Sequence, residues 1–118
     1  VIAAHPPAPI SAEWSAWRDA QLDAFGHVVA EAGRPTILAG DLNTTPWALG
    51  FRRLVATSGL RDSALGRGIQ ATWNAHRPAP RIPIDHVLVS DEIRVLDRRV
   101  GPAVGSDHLP VEARLVLP

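Results

Sequence analysis

An apolar segment that stops in a polar turn governs our interpretation of this chain: Thr36-Ile37-Leu38-Ala39-Gly40-Asp41-Leu42-Asn43-Thr44-Thr45-Pro46. Three consecutive apolar residues, Ile37–Ala39, are typical of a strand that is covered on both faces. Gly40 then allows an unusual backbone angle or a close approach. Asp41 and Asn43 are separated by one residue, so in an extended chain both side chains leave from the same side. The pattern predicts a buried strand followed by a polar pair that could hold a metal ion or a phosphate, although the same residues also suit an ordinary capped turn.

Apolar residues at helical spacing before this segment predict a first helix that begins after Ser11 and runs to Ala32. Ser11 suits the N-cap, and Gly33 suits the position at which a helix stops. Trp14 and Trp17 fall on the apolar stripe of this helix. We therefore expect both tryptophans to lie in the core, although they could also form a stacking platform.

A second helix is predicted to follow the polar turn, from about Pro46 to Thr57. Proline is accepted in the first turn of a helix, and Thr44 or Thr45 could act as the cap. The buried side of this helix would consist of four residues, Trp47, Phe51, Leu54 and Val55.

The second half of the chain is predicted to consist mainly of strands. Ile82–Ser90 is the clearest of them, and Ile93–Val100 and Pro110–Leu117 follow with alternating apolar residues. Strands outnumber helices, and both helices lie near the start of the chain. These elements predict a mixed α/β fold that is built on one layered sheet.

Composition sets limits on the function. A chain of 118 residues forms one small domain or part of a larger one, and its formal net charge is zero. A neutral chain is a poor candidate for gripping long nucleic acid through a broad basic face. The absence of cysteine excludes disulfides, thiolate catalysis and cysteine-bound zinc. Because the sequence opens in what resembles a strand, we expect that it belongs to a longer protein.

Polar residues gather where the apolar strands end. In layered sheet proteins the ends of strands and the loops that follow them are where functional sites are built. Four such groups are present: His5, Asp41 with Asn43, Asp85, and Asp107 with His108.

The Asp107-His108 pair is the most informative of these groups. Adjacent side chains point in different directions in an extended chain, so one could bind a metal while the other faces a substrate. Asp85 could accept the ring proton of His108, which would fix its tautomer and make the outer nitrogen a better base or proton donor. Taken alone, each residue also has an ordinary explanation, since Asp85 could pair with Arg81 and Asp107 could cap a turn.

Three motifs occur in a fixed order: Gly40-Asp41-Leu42-Asn43, Ile84-Asp85-His86-Val87-Leu88 and Ser106-Asp107-His108-Leu109-Pro110. Together they resemble the late motifs of the endonuclease/exonuclease/phosphatase superfamily. That superfamily includes deoxyribonuclease I-like nucleases, abasic-site endonucleases, inositol polyphosphate 5-phosphatases and neutral sphingomyelinases. Ala4–Pro9 resembles the strand that carries an earlier histidine of the family. The resemblance extends over nearly the whole chain.

The resemblance implies the C-terminal half of a four-layered α/β sandwich, in which a mostly antiparallel sheet carries helices on one face. It also implies a phosphoesterase that depends on Mg²⁺ or Mn²⁺. The implied metal ligands are Asp107 and Asp41, because hard cations prefer carboxylate oxygen. The metal would polarise the phosphoryl oxygens, so catalysis would consist mainly of positioning and electrostatics.

The resemblance also implies roles for the other site residues. Asp41 would orient or deprotonate the attacking water, and Asn43 would hold that water or a phosphate oxygen. His108, with Asp85 behind it, would contact the phosphate and stabilise charge in the transition state. His5 would bind the phosphate or protonate the leaving group. The substrate would be a phosphate ester in a nucleic acid, a phosphoinositide or a lipid head group.

The chain lacks two features of the family's first half, an asparagine near the first strand and a glutamate that is a principal metal ligand. We therefore expect a partial domain, residues 1–118, that is inactive alone. Its apolar sheet face, from runs such as Ile37–Ala39 and Val87–Val89, would bind the missing N-terminal half or a second copy. The proline-rich segment after His5 resembles bacterial members that often follow membrane-spanning helices, which leaves an extracytoplasmic location open.

Two other functions stay open. The chain could be a non-catalytic relative or interaction module that retains the fold. It could also be a hydrolase in which Ser106 is the nucleophile, with His108 as base and Asp85 as its orienting group. No nucleophile elbow surrounds any serine, which weakens this last interpretation.

Overall fold

A four-stranded sheet, a separate two-stranded sheet and two helices make up the computed structural model, which describes residues 1–118. The mixed α/β prediction is confirmed. The single layered sheet is not, because the last two strands pair only with each other. The elements in chain order are β1 (Ile2–Ala3), α1 (Ala12–Ala32), β2 (Ile37–Asp41), α2 (Leu49–Ser58), β3 (Arg61–Asp62), β4 (Asp85–Val89), β5 (Arg94–Val100) and β6 (Val111–Val116).

The larger sheet has the strand order β1-β2-β4-β3. β1 runs parallel to β2, whereas β2 and β3 are both antiparallel to β4. In the central pair, Leu38 lies opposite Leu88 and Asp41 lies opposite Asp85. The last residue of β2 and the first residue of β4 therefore meet at one edge of the sheet.

Both helices cover the same face of this sheet. Leu38 and Leu88 point from the central strands into a core that receives Leu22 from α1 and Leu54 from α2, and all four side chains are fully buried. Successive residues of a strand face opposite sides, so Ala39 and its neighbours lie on the other face, which the helices leave uncovered.

Helix α1 begins and ends as predicted, but its tryptophans were placed wrongly. Ser11 Oγ accepts a hydrogen bond from the backbone N–H of Trp14, and Gly33 ends the helix at a φ of 57°. The buried stripe includes Leu22, and at about 100° per residue Trp14 and Trp17 lie about 80° and 140° around the helix from it. Trp14 is 39% exposed and Trp17 is 52% exposed. Periodicity identified apolar positions but not the phase of the covered stripe.

Helix α2 begins at Leu49, three residues later than predicted, and neither threonine caps it. The N-cap is Ala48, which makes no side-chain cap. The residues before it form a turn that is closed by a hydrogen bond from Ala48 N to Thr45 O at 3.1 Å. This turn carries Trp47 outward, so it is 58% exposed rather than buried, whereas Phe51 is buried as predicted.

The three late strands are shorter than predicted. β4 begins at Asp85 instead of Ile82, because the residues before it include Pro83, which has no N–H to donate to a ladder. Ile82 instead makes an isolated bridge to Trp73. Neither helix of the structure is both long enough and apolar enough to cross a membrane.

Candidate active site

The predicted site residues meet at the edge where β2 ends and β4 begins. Asp41 and Asp85 are register partners and therefore leave the sheet on the same face. That face is opposite to the one on which the helices pack. The antiparallel register alone places two carboxylates next to each other at the boundary between the sheet and its loops.

Gly40 lets β1 lie close enough to β2 for His5 to reach Asp41. A Cβ atom at Gly40 would stand 1.9 Å from the carbonyl oxygen of Ala4, and the φ of Gly40 is 150°. The backbone N–H of Ala4 donates to Ala39 O at 3.0 Å, which fixes the last part of β1. His5 Nε2 then lies 3.5 Å from Asp41 Oδ2.

The turn after β2 is held by its own polar side chains. The backbone N–H of Asn43 donates to Asp41 Oδ1 at 2.8 Å, and Asn43 Nδ2 donates to Pro6 O at 2.9 Å. Arg18 of α1 donates to Asn43 O at 3.1 Å. Asn43 has a φ of 50°, in the left-handed region that asparagine tolerates better than most residues. The capped-turn interpretation is therefore correct for the backbone, and the same turn presents Asp41 to the site.

His108 bridges the two carboxylates. Its Nδ1 lies 2.9 Å from Asp85 Oδ2, and its Nε2 lies 3.7 Å from Asp41 Oδ2. Asp85 pairs with His108 and not with Arg81, whose guanidinium donates to backbone carbonyls of its own loop. Ser106 Oγ accepts the backbone N–H of His108 at 3.0 Å, which is a turn contact.

Electrostatics couple these groups. Burial raises the pKa of Asp41, and the hydrogen bond from the Asn43 N–H opposes this rise. The neighbouring charge of Asp85 raises the pKa further, against weaker opposing effects of the two histidines. Burial alone would lower the pKa of His108, but the hydrogen bond and charge of Asp85, with Asp41 and Asp107, raise it above its usual value. The cluster therefore favours a protonated imidazole between carboxylates.

Asp107 faces the same cleft from a different direction. Trp73 Nε1 donates to Asp107 Oδ2 at 3.1 Å, and this hydrogen bond holds the pKa of the carboxyl below its ordinary value. Its carbonyl accepts the backbone N–H of Ala75 at 2.6 Å. Asp107 is not among the three residues whose ligand atoms all lie within 4.8 Å of one another, which are Asp41, Asp85 and His108.

A cleft of about 450 Å³ is lined by every predicted site residue except Asp85. No site role was predicted for Trp73, yet it lines this cleft and its indole N–H donates to Asp107. The Thr72-Trp73 spacing before the Ile84-Asp85 motif was the available signal. The lining residues are His5, Ala8, Pro9, Ile10, Asp41, Asn43, Trp73, Ile82, Ile84, Asp107 and His108.

The oxygen donors of the cleft fit a hard divalent cation. The carboxylate of Asp85 is hydrogen-bonded to His108, whereas Asp41 Oδ2 accepts no hydrogen bond. Two histidine nitrogens lie 3.5 and 3.7 Å from Asp41 Oδ2. A cation beside Asp41 would also offset the repulsion from Asp85. Mg²⁺ is usually held by one or two carboxylates together with substrate phosphate, and the cleft is lined by the carboxylates of Asp41 and Asp107.

Comparison with known proteins identifies the family. The family model described as Endonuclease/Exonuclease/phosphatase family matches residues 1–108. The chain belongs to this family, which confirms the resemblance drawn from its motifs. No curated protein sequence matches the chain.

Solved structures share the fold. An endonuclease/exonuclease/phosphatase from Beutenbergia cavernae is 29% identical with a TM-score of 0.72, over 96% of this chain and 34% of its own. A mannosyl-6-phosphatase from Bacteroides thetaiotaomicron is 25% identical with a TM-score of 0.69, over 92% and 48%. A family member from Bacteroides vulgatus is 20% identical with a TM-score of 0.74, over 87% and 45%. The chain thus spans less than half the length of each of these structures.

Proposed function

We propose that this chain supplies part of the active site of a metal-dependent phosphoesterase, which hydrolyses a phosphate ester with a metal-activated water. The observation that carries the proposal is the bridge from Asp85 through His108 to Asp41, at one edge of a cleft that His5 and Asn43 also line. Membership of the family supports the reaction class. Because the chain spans less than half the length of its structural relatives, the activity would belong to a longer protein that contains it.

Asp41 and Asp107 would hold the cation, either Mg²⁺ or Mn²⁺. When bound, the cation would polarise the phosphoryl oxygens and supply the attacking water at neutral pH. Asp41 would orient that water, and Asn43 would hold it or a phosphate oxygen.

His108 would stabilise the charge that develops on the phosphate. Its raised pKa favours the imidazolium form, and the hydrogen bond to Asp85 directs Nε2 towards Asp41 and the cleft. His5 has a side chain that is 76% exposed and lies 3.5 Å from Asp41, so it can reach a substrate from the solvent side. There it would bind the phosphate or protonate the leaving group.

The substrate would be a compact phosphate ester. Zero net charge disfavours long nucleic acid, although a short nucleic acid, a phosphoinositide and a lipid head group all remain candidates. The mannosyl-6-phosphatase among the structural relatives, at 25% identity, supports a phosphomonoester of a small polar molecule as the first substrate to test.

The sheet face away from the helices would be covered by another part of the longer protein or by a second copy of the chain. Ala39 and Val87 lie opposite each other on this face and are only half-buried. Apolar residues that stay partly exposed on a sheet face would suit an interaction surface. Sedimentation of the 118-residue chain as a monomer that binds no separately produced N-terminal half would contradict this proposal.

The test compares the longer protein with its Asp41→Ala variant and with residues 1–118 alone, on phosphomonoester and phosphodiester substrates with Mg²⁺ or Mn²⁺. Asp91→Ala is the matched control, because its carboxylate is exposed and pairs with Arg61 far from the cleft. We expect activity in the longer protein and the control only. A longer protein that is inactive with both metals on nucleic acid, inositol and lipid substrates would favour the interaction module.

A further inference from the structure

A buried charged cluster lies on the helix-covered face of the sheet, behind the candidate active site. It consists of Asp62, His86 and Arg98, which are 8%, 2% and 3% exposed. Burying charges is costly unless they are paired and hydrogen-bonded. None of the three lines the cleft of the candidate active site.

Arg98 reaches from β5 to the first residue of β4. Its Nη2 donates to the carbonyl oxygen of Asp85 at 3.0 Å, and its Nη1 donates to Gln70 Oε1. Gln70 returns the contact, since its Nε2 donates to Arg98 O at 3.0 Å. A planar guanidinium serves two acceptors in fixed directions, which a lysine ammonium does not. Arg98 therefore fixes the backbone of Asp85 while the Asp85 side chain, on the opposite face, binds His108.

His86 contacts a backbone carbonyl in the turn after β2, as Arg98 contacts a backbone carbonyl in β4. Its Nε2 lies 2.8 Å from the carbonyl oxygen of Thr44, and because a carbonyl only accepts, Nε2 carries the proton. Its Nδ1 lies 3.7 Å from Asp62 Oδ2, and its ring packs on Phe51 with centroids 4.6 Å apart. Thr44 directly follows Asn43, so this contact holds the far end of the Asp41–Asn43 turn.

Asp62 supplies a negative charge next to both His86 and Arg98. Burial works against its charge, but the contact with His86, the hydrogen bond from the Ala64 N–H and the charge of Arg98 hold the pKa of Asp62 below its usual value. The cluster therefore keeps a carboxylate between His86 and Arg98. It joins β3, β4, β5 and the turn after β2 into one unit behind the cleft.

We propose that Arg98 and His86 are positioning residues, which hold the backbone at Asp85 and Thr44 from behind and thereby set the spacing of Asp41, Asn43 and His108 in the cleft. The benefit to catalysis rests on the proposed function, but the geometric claim does not. A shift of the Asp85 backbone would move the carboxylate that orients His108. A shift of Thr44 would move Asn43.

The first test reads the geometry without catalysis. A proton held between His108 Nδ1 and Asp85 gives a low-field proton NMR signal, which is assigned by its loss in His108→Gln. We expect this signal to shift or broaden in Arg98→Lys, which keeps the charge next to Asp62 but lacks the fork. In Arg99→Lys it should not move, because Arg99 is exposed and pairs with Glu112.

Gln70→Ala is a second variant, in case Arg98→Lys does not fold. It leaves every charge in place and removes only the side chain that orients Arg98. We expect the same shift of the His108 signal, in smaller amount. His86→Phe keeps a ring against Phe51 and removes the donor to Thr44, so the backbone amide signal of Asn43 should move. If folded Arg98→Lys and Gln70→Ala both leave the His108 signal unchanged, Arg98 is not a positioning residue.

The second test uses kcat and KM of the longer protein. Loss of a supporting contact behind a catalytic residue typically costs about tenfold or more in activity. We expect kcat to fall about tenfold in Arg98→Lys with KM nearly unchanged, and Arg99→Lys to match the parent. If Arg98 served only as a charge partner for Asp62, lysine would replace it without loss of activity. Equal kcat values in Arg98→Lys and the parent would therefore overturn the proposal. If the longer protein is inactive, the proposed function fails, and the NMR result still decides the positioning claim.

Discussion

Gly40→Ala tests whether the close approach of β1 builds the site. The added methyl group would stand 1.9 Å from Ala4 O, whereas real Cβ contacts stay beyond 3.0 Å, so β1 must retreat by about 1.1 Å. That retreat would break the hydrogen bond from Ala4 N to Ala39 O and carry His5 away from Asp41.

Three costs combine in this variant. Overpacking costs about 1–3 kcal/mol, a lost hydrogen bond about 1 kcal/mol, and a side chain at a φ reserved for glycine about 1–3 kcal/mol. We expect the free energy of unfolding to fall by about 3–7 kcal/mol. At roughly 4 °C per kcal/mol, the melting temperature should fall by at least about 12 °C.

Gly59→Ala is the matched control, because Gly59 also has a positive φ, 69°, but nothing lies within 4 Å of its added Cβ. Strain alone should cost about 1–2 kcal/mol there. Urea denaturation of both variants, followed by circular dichroism, gives the comparison. If Gly40→Ala is no less stable than Gly59→Ala, β1 yields freely and its position does not depend on Gly40.

Three further outcomes follow from contacts in the structure. Folding raises the pKa of His108, so the stability that this histidine contributes is complete below pH 6.5 and is lost as pH rises through the higher folded pKa. The melting temperature as a function of pH, compared with that of His108→Gln, measures this loss. Trp73→Phe removes the N–H that holds Asp107, so carboxyl-carbon NMR should show the pKa of Asp107 rising towards its ordinary value. Trp17→Ala should change the free energy of unfolding by less than about 1 kcal/mol, whereas Leu22→Ala should cost about 2–5 kcal/mol in the same urea titration.

The sequence was sufficient to predict the class of fold and to select most of the residues that the structure brings together in the candidate site. The decisive segment, Thr36–Pro46, is locally consistent, because an apolar run, a glycine and an Asx turn all favour the same strand-then-turn structure. The two carboxylates could be placed at strand ends from the pattern alone. Their proximity could not, because only the antiparallel register brings Asp41 opposite Asp85.

What sequence reasoning missed depended on contacts that are distant along the chain. The phase of the buried stripe of α1 is set by α2 and the sheet, so Trp14 and Trp17 were assigned to the core wrongly. Arg98 and Gln70 are 28 residues apart, and no local pattern links them. Trp73 was not predicted to be part of the site, because its indole N–H reaches Asp107 only when the last loop folds back.

The packing of the core also determines which side chains reach the active site. Leu38 and Leu88 face each other under the helices, and both are fully buried. A slip of the β2–β4 register by one residue would turn every side chain of one strand to the opposite face. Asp85 would then enter the core and His86 would enter the cleft. The carboxylate of Asp85 would be buried there without its hydrogen bond to His108. Apolar burial at two leucines therefore holds Asp85 where His108 can bind it, so the same interactions that stabilise the fold also align the proposed catalytic groups.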